Sequence, residues 1–196
     1  LPLAEQLGAI FSGLLNELPE IVEIEFAGEI GGYDNKITEL SAVKGLLSGI
    51  TDQPISYVNA IDVAKDHGVQ IRSVTTTSSA DYVNTVTIRG GGHAIAGTLV
   101  GLKGEARIVM VDDHTVDMPP STHMVILRND DRPGVIGKVG TILGEEKINI
   151  VDMNVGRSKD GLGALMVIST QDEVPNDIAE LLIQTDGVTR CSVLNL

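Results

Sequence analysis

The chain has 196 residues, a formal net charge of −13 and a hydrophobic fraction of 42%, which suits folded domains with aliphatic cores. The acidic excess argues against nucleic-acid binding and against an anionic membrane surface, because both depend on lysine and arginine, and no apolar run reaches the length of a membrane span. A single cysteine, Cys191, excludes an internal disulfide and an iron–sulfur cluster and favours a reducing cytoplasm.

The first elements are predicted to be helical, with one strand between them. Residues 1–18 place leucine, isoleucine and phenylalanine on one face at helical spacing until Pro19 ends the helix. "IVEIEFAGE" then alternates apolar and acidic residues, as a half-buried strand does. A second helix is predicted over residues 38–50 with Thr38 as its cap, and Gly68 closes a short third helix.

After Gly68 the hydrophobic period changes to two, which predicts strands. The glycines of "RGGGH" predict a plain hairpin turn between two of these strands. The first part therefore reads as helices followed by a mostly antiparallel sheet, and "DMPPST" at 117–122 is the best linker. The strand candidates are "VQIRSVTTT", "VNTVTIR", "HAIAGTLV", "ARIVMV" and "TVDM".

The second part predicts a complete small domain with the element order βαββαβ, the ferredoxin-like arrangement. The fold class is therefore α+β, with a helix over 1–18, a first domain over 19–119 and a βαββαβ domain over 122–196. In that fold the strand order is 4-1-3-2, so the second strand lies at an edge and can pair with another subunit. Its elements are strand 123–128, helix 132–146, strands 148–157 and 164–170, helix 175–185 and strand 188–194.

Three glycines in "NDDRPGVIGKVGTILG" raise the question of a phosphate loop. A Walker loop needs GxxxxGK followed by serine or threonine, and a dinucleotide fingerprint needs GxGxxG; the segment matches neither pattern. Gly137 and Gly140 fall inside the predicted helix, where they allow close packing against the sheet or against a second subunit. Val135, Ile136, Val139, Ile142 and Leu143 are expected to form the core-facing side of this helix.

The residues before that helix suit a small zwitterionic ligand. The amides around Gly134, Val135 and Ile136 can bind a carboxylate at a helix N-terminus, and Pro133 costs no hydrogen bond there. The carboxylate of Asp131 can accept from an ammonium group. Two amides, Asn129 at the strand end and Asn149 at the start of the next strand, can pair with a hydroxyl or an ammonium group. The alternative is that Asp131 only caps the helix and Asn129 only shapes a turn.

The motifs "DRPGVIGKVGTILG", "INI" and "VGR" resemble the ACT domain, a βαββαβ amino-acid sensor. The preceding motifs "LPLAEQLG", "AVKGLLSGI", "YVNA", "GTLVG" and "RIVMVDD" resemble the intervening domain of long-form bacterial D-3-phosphoglycerate dehydrogenase. The resemblance spans essentially the whole chain. It implies the regulatory C-terminal region of an NAD-dependent enzyme of serine biosynthesis, with L-serine or a related small amino acid as the feedback inhibitor.

Carried over residue by residue, the resemblance places serine contacts at Asn129, Asp131 and Asn149. It also implies self-association through ACT domains and catalytic domains, with their NAD site, that are not in this chain; the chain itself carries no catalytic residue and no cofactor. In some relatives the intervening domain binds an anion, and Arg107 occupies one matching position. Its expected basic neighbours are absent, since His114, Thr115 and Pro119 stand there, so a solvated strand residue is the simpler interpretation.

Other interpretations remain open at this point. "VDDHTVD" could ligate a metal, but it lacks regular ligand spacing, and a charged hairpin turn is the simpler prediction, so no metal is expected. The chain could instead be the small subunit of an iron–sulfur L-serine dehydratase, although the expected Ser-Ser-Ser-His-Thr type motif is missing. A free-standing amino-acid sensor and a purely structural oligomerisation module are further alternatives. Because the chain begins at Leu1 rather than Met, a fragment or a processed product is expected.

Overall fold

The computed structural model describes residues 1–158 and 163–196, and it divides into two compact units, Leu1–Asp112 and Asp113–Leu196. The helices are α1 (Pro2–Leu14), α2 (Lys36–Ser48), α3 (Ala60–Asp66), α4 (Val135–Glu145) and α5 (Asn176–Ile183). The strands are β1 (Ile21–Gly28), β2 (Gln70–Thr76), β3 (Asn84–Gly90), β4 (His93–Val100), β5 (Glu105–Val111), β6 (His114–Met118), β7 (His123–Asn129), β8 (Ile150–Arg157), β9 (Ala164–Thr170) and β10 (Val188–Asn195).

The first unit builds its core between two crossed helices and a sheet whose strands follow the order β2-β1-β3-β4-β5. Helices α1 and α2 approach so closely that a Cβ on Gly8 would lie 2.0 Å from the carbonyl oxygen of Ala42. On the other helix, a Cβ on Gly45 would lie 1.9 Å from the carbonyl oxygen of Glu5. Both positions must therefore be glycine, and this contact packs α1 into the first unit.

The observed elements of the first unit confirm the predicted sheet and correct its details. The helix predicted over 1–18 ends at Leu14, and α2 begins at Lys36 after Asn35, so Thr38 is not its cap. The sheet is mostly antiparallel, as predicted. Strand β2 is the exception and runs parallel to β1, because the connection between them crosses over through α2 and α3. The "RGGGH" turn is the hairpin predicted between β3 and β4.

The second unit contains the predicted βαββαβ fold, in which a four-stranded sheet has the order β10-β7-β9-β8. This is the 4-1-3-2 order expected from the sequence. Helices α4 and α5 cover one face of the sheet, and the core between them is aliphatic. The prediction that Ile136 faces the core is wrong, since its side chain is 50% exposed. Val135, Val139 and Leu143 are buried, as predicted.

Strand β8 is the predicted edge strand, but only part of that edge is open. Its register shifts between Ile150 and Asp152, and this bulge separates Val151, which is exposed, from Met153, which packs against the core. The two residues therefore do not share a face, although positions two apart do so in a regular strand.

Strand β6 contacts the C-terminal half of β8. His114 forms a bridge with Ser158, and a Cβ on Gly156 would lie 2.3 Å from the carbonyl oxygen of Thr115. Pairing of the whole of β8 with a second subunit is therefore incompatible with this structure. Residues 150–153 remain as the open part of the edge.

Cys191 on β10 packs against the core of the second unit, and burial raises the pKa of its thiol to about 12. Because the thiolate is the reactive form, we expect iodoacetamide to alkylate Cys191 at pH 8 more than about 100-fold more slowly than free cysteine. Mass spectrometry of timed samples measures this rate. Alkylation at the rate of free cysteine would contradict the burial of this side chain.

Within the described part of the chain, no helix is long and apolar enough to span a membrane.

Candidate functional site

The loop between β7 and α4 holds most of the residues that the sequence assigned to a ligand site. The side chain of Asn129 ends β7, and its Oδ1 accepts a hydrogen bond from the backbone N–H of Asp131 at 2.9 Å. Asp131 adopts a left-handed conformation, with φ of 53°, which aspartate tolerates better than most residues. The predicted turn role of Asn129 is confirmed, and the turn leaves the side chain of Asp131 on the surface.

Helix α4 begins after Gly134, whose φ of 94° favours glycine at this position. The N-cap position of the helix is Gly134, so the alternative in which Asp131 is the N-cap is wrong. The N–H of Val135 points back to the carbonyl of Arg132 at 3.5 Å, which is a weak contact. The first turn of α4 therefore offers backbone donors and the positive end of the helix dipole beside Asp131.

The turn between α5 and β10 holds this loop in place. The backbone N–H of Asp130 donates to the carbonyl of Gly187 at 3.0 Å. The guanidinium of Arg132 lies 2.5 Å from the Asp130 carboxylate and 2.9 Å from that of Asp186. These carboxylates raise the pKa of Arg132, the hydrogen bond with Asp186 most, and Arg132 in turn lowers the pKa of Asp186. Arg132 thus links the β7–α4 loop to the turn between α5 and β10 through its ion pairs with Asp130 and Asp186.

Asn129 is the buried polar group of the loop. Its side chain is 6% exposed, and its Nδ2 has no hydrogen-bond partner among the described residues. Because Oδ1 already accepts from Asp131, the orientation of the amide is fixed and only its N–H groups remain for a ligand. Asn129 can therefore donate to a hydroxyl or a carboxylate, whereas the sequence alone had also left an ammonium group open.

Asn149 lies at the opposite end of the same sheet. The register pairs Asn129 with Ala164 on β9, whereas Ile150, which follows Asn149, pairs with Thr170 at the other end of β9. Six residues of strand separate the two positions, which corresponds to about 20 Å. Asn149 donates instead to Gln171 Oε1 at 3.0 Å. One chain therefore does not bring Asn149 to the β7–α4 loop.

The glycines inside α4 face outward. A Cβ on Gly137, Gly140 or Gly144 would meet no atom within 4 Å among the described residues, so these glycines do not pack against the sheet. That part of the prediction is wrong. Together with exposed Ile136 they form a smooth helix surface, which we call the glycine face of α4. Packing of this face against a second subunit stays a prediction.

The remaining candidates belong to other elements of the chain. Arg107 is half-buried on β5, opposite Thr98 of β4. The "VDDH" segment is a hairpin turn between β5 and β6 in which Asp112 Oδ1 lies 2.9 Å from His93 Nδ1 and accepts from the Ala94 N–H. The predicted charged turn is thus confirmed. Across residues 1–158 and 163–196, the acidic, histidine and cysteine side chains form no cluster of three or more that could hold a metal ion.

Comparison with known proteins decides the family. Residues 1–112 match the family model of the D-3-phosphoglycerate dehydrogenase intervening domain, and residues 123–187 match that of the ACT domain. The chain belongs to the D-3-phosphoglycerate dehydrogenase family. Curated relatives named D-3-phosphoglycerate dehydrogenase include those of Mycobacterium leprae, at 30% identity over 100% of this chain, and Synechocystis, at 31% over 96%. The match spans only 38% and 35% of those two relatives.

Following the family assignment, we call the first unit the intervening domain and the second unit the ACT domain.

Sequence reasoning missed one feature of the ACT domain, the buried imidazole of His114 on β6. The signal that could have found it is the alternation of "HTVDM", which places His114 on the same side as the buried Val116 and Met118.

Proposed function

We propose that this chain is the regulatory region of an NAD-dependent D-3-phosphoglycerate dehydrogenase and that its ACT domain binds L-serine as a feedback inhibitor. The observation that carries the proposal is the β7–α4 loop, where a buried amide donor, a surface carboxylate and the first turn of a helix come together. The helix amides suit the ligand's carboxylate, Asp131 suits its ammonium group, and Asn129 suits a hydroxyl. The loop therefore offers a partner for each polar group of serine.

The site is proposed to be shared between two chains. Asn149 lies about 20 Å from the loop along the sheet of its own chain, so it can reach a ligand only in a partner ACT domain. The glycine face of α4 and the open part of the β8 edge, residues 150–153, are the surfaces proposed for this pairing. Serine would then stiffen the pair and act on catalytic domains in the cytoplasm, through a coupling of about 1–3 kcal/mol.

A complementation experiment tests the shared site. Asp131→Gly and Asn149→Ala are each expected to bind serine only weakly as homodimers, because each variant lacks one contact in every site. A mixed dimer of the two variants has one intact site out of two, and random subunit exchange makes about half of the dimers mixed. Mixing should therefore restore serine binding at about a quarter of the wild-type stoichiometry, measured by calorimetry after subunit exchange. A mixture that stays inactive despite forming mixed dimers contradicts the two-chain site.

A charge on the glycine face of α4 tests the proposed pairing itself. We expect Gly140→Glu to convert the dimer into a monomer, because an interface packed at helix-to-helix contact distance has no room for a buried, unpaired carboxylate. Sedimentation velocity measures the assembly state. Lys103→Glu, on the turn between β4 and β5, is the matched control and should leave the dimer intact. A dimeric Gly140→Glu variant would place the interface elsewhere.

A further inference from the structure

A small cavity lies in the ACT unit where β6, β7 and the β8–β9 hairpin meet. Its volume is about 210 Å³, which is below the range of drug-sized pockets and suits a ligand of only a few heavy atoms. Asn129 and Asp130 of the β7–α4 loop contribute to its wall, so the cavity adjoins the proposed serine site. The other residues that line it are Asp113, His114, Arg128, Ser158, Gly163, Ala164 and Thr189.

Two residues that line this cavity each carry a buried polar atom without a hydrogen-bond partner among the described residues. These atoms are Asn129 Nδ2 and His114 Nδ1, in side chains that are 6% and 2% exposed. His114 Nδ1 lies 2.8 Å from Asp113 Oδ1, but in an arrangement that makes no hydrogen bond. The large majority of buried polar groups in folded proteins are paired, and an unpaired one calls for an explanation such as a bound water, ion or ligand. The cavity is therefore built to receive a polar group.

A hydroxyl group has the hydrogen-bonding capacity to pair with both atoms. It accepts from Asn129 Nδ2, and it can donate to His114 Nδ1 or accept from it, according to the tautomer of the imidazole. A phosphate group fits less well, because the carboxylates of Asp113 and Asp130 also line the cavity, against a single guanidinium from Arg128. The cavity thus suits a neutral polar side chain at the end of a zwitterionic ligand.

We propose that this cavity holds the hydroxyl side chain of the effector and that His114 is a specificity-determining residue, which favours L-serine over L-alanine. The proposal rests on the serine site at the β7–α4 loop. Alanine would leave both buried atoms unpaired, and sites built to pair a hydroxyl discriminate strongly against ligands that lack it. His114 would thereby make β6 a part of the effector site.

The test compares serine and alanine affinities by calorimetry on the 196-residue chain. The wild-type protein should prefer serine by at least about tenfold. His114→Leu should reduce that ratio at least about threefold, and His114→Gln should restore much of it, because glutamine returns a donor and an acceptor. His123→Leu, at the opposite end of β7, is the matched control and should leave the ratio unchanged.

Three results would overturn this inference. An unchanged ratio of serine to alanine affinity in a folded His114→Leu variant would show that the cavity does not recognise the hydroxyl and holds water instead. The proposed serine site at the loop would not be contradicted by that result. Equal wild-type affinities for serine and alanine would exclude hydroxyl recognition without any variant, which covers the case in which His114→Leu does not fold. Failure of the wild-type protein to bind either amino acid would contradict the proposed serine site at the loop, and the present inference would fail with it.

Discussion

Asp131→Gly should weaken serine binding by about 10- to 150-fold without loss of stability. Asp131 supplies the only side-chain carboxylate that the proposed site assigns to the ammonium group of serine, and charged hydrogen bonds of this kind contribute about 1.5–3 kcal/mol. Glycine is the informative replacement because Asp131 has a φ of 53°, which alanine would adopt only with strain. Titration calorimetry measures the affinity, and thermal unfolding verifies the fold.

Asp52→Gly is the matched control for this experiment. Asp52 lies in an exposed bend of the intervening domain, so the same change in charge and backbone freedom occurs away from the ACT domain. The control should bind serine as the wild-type chain does. If Asp131→Gly binds serine with unchanged affinity, the ammonium group is held elsewhere and the assignment of Asp131 is wrong.

The intervening domain should lose about 3 kcal/mol or more of unfolding free energy in a Gly45→Ala variant. The added methyl group would lie 1.9 Å from the carbonyl oxygen of Glu5 and 3.0 Å from the backbone nitrogen of Ala9. These are backbone atoms of a packed helix, so α1 and α2 must move apart, and such overpacking typically costs 1–3 kcal/mol or more. The midpoint of thermal unfolding should fall by about 10 °C or more.

The same substitution in α4 provides the contrast. Gly144 has no atom within 4 Å of a built Cβ among the described residues of its own chain, so Gly144→Ala adds helix propensity without a clash inside the ACT domain. We expect a gain of up to about 1 kcal/mol in unfolding free energy of the ACT domain. Urea unfolding of both variants measures the difference. A Gly45→Ala variant as stable as wild type would contradict the close contact between α1 and α2.

The sequence predicted the ACT fold well because its pattern is local and regular. Short apolar runs in "HMVILR" and "ALMVIST", and helical spacing from Val135 to Leu143, indicate each element without knowledge of its neighbours. The bulge at Val151 and the cover that β6 gives to β8 were missed. Both depend on contacts between residues that are distant in the chain, which periodicity does not report.

The candidate site was predicted in position but not in detail. The motif "NDDRPG" located the loop, because proline and glycine before an amphipathic helix are strong local signals. The separate structural roles of Asn129, Asp131 and Gly134 within the loop could not be predicted from the sequence. Asp131 looked like a cap, yet Gly134 starts the helix and Asn129 supports Asp131 through a side-chain hydrogen bond. That arrangement follows from a left-handed backbone at Asp131, which several residue types can adopt.

Calorimetric titration of the folded dimer with L-serine tests the central claim most directly. We predict saturable binding with one serine per chain, weakened in Asp131→Gly and unchanged in Asp52→Gly. Heat at millimolar serine should also appear when the two half-site variants are mixed. The absence of binding at millimolar serine, in a protein shown to be folded and dimeric, would contradict the proposal that this ACT domain is a serine sensor.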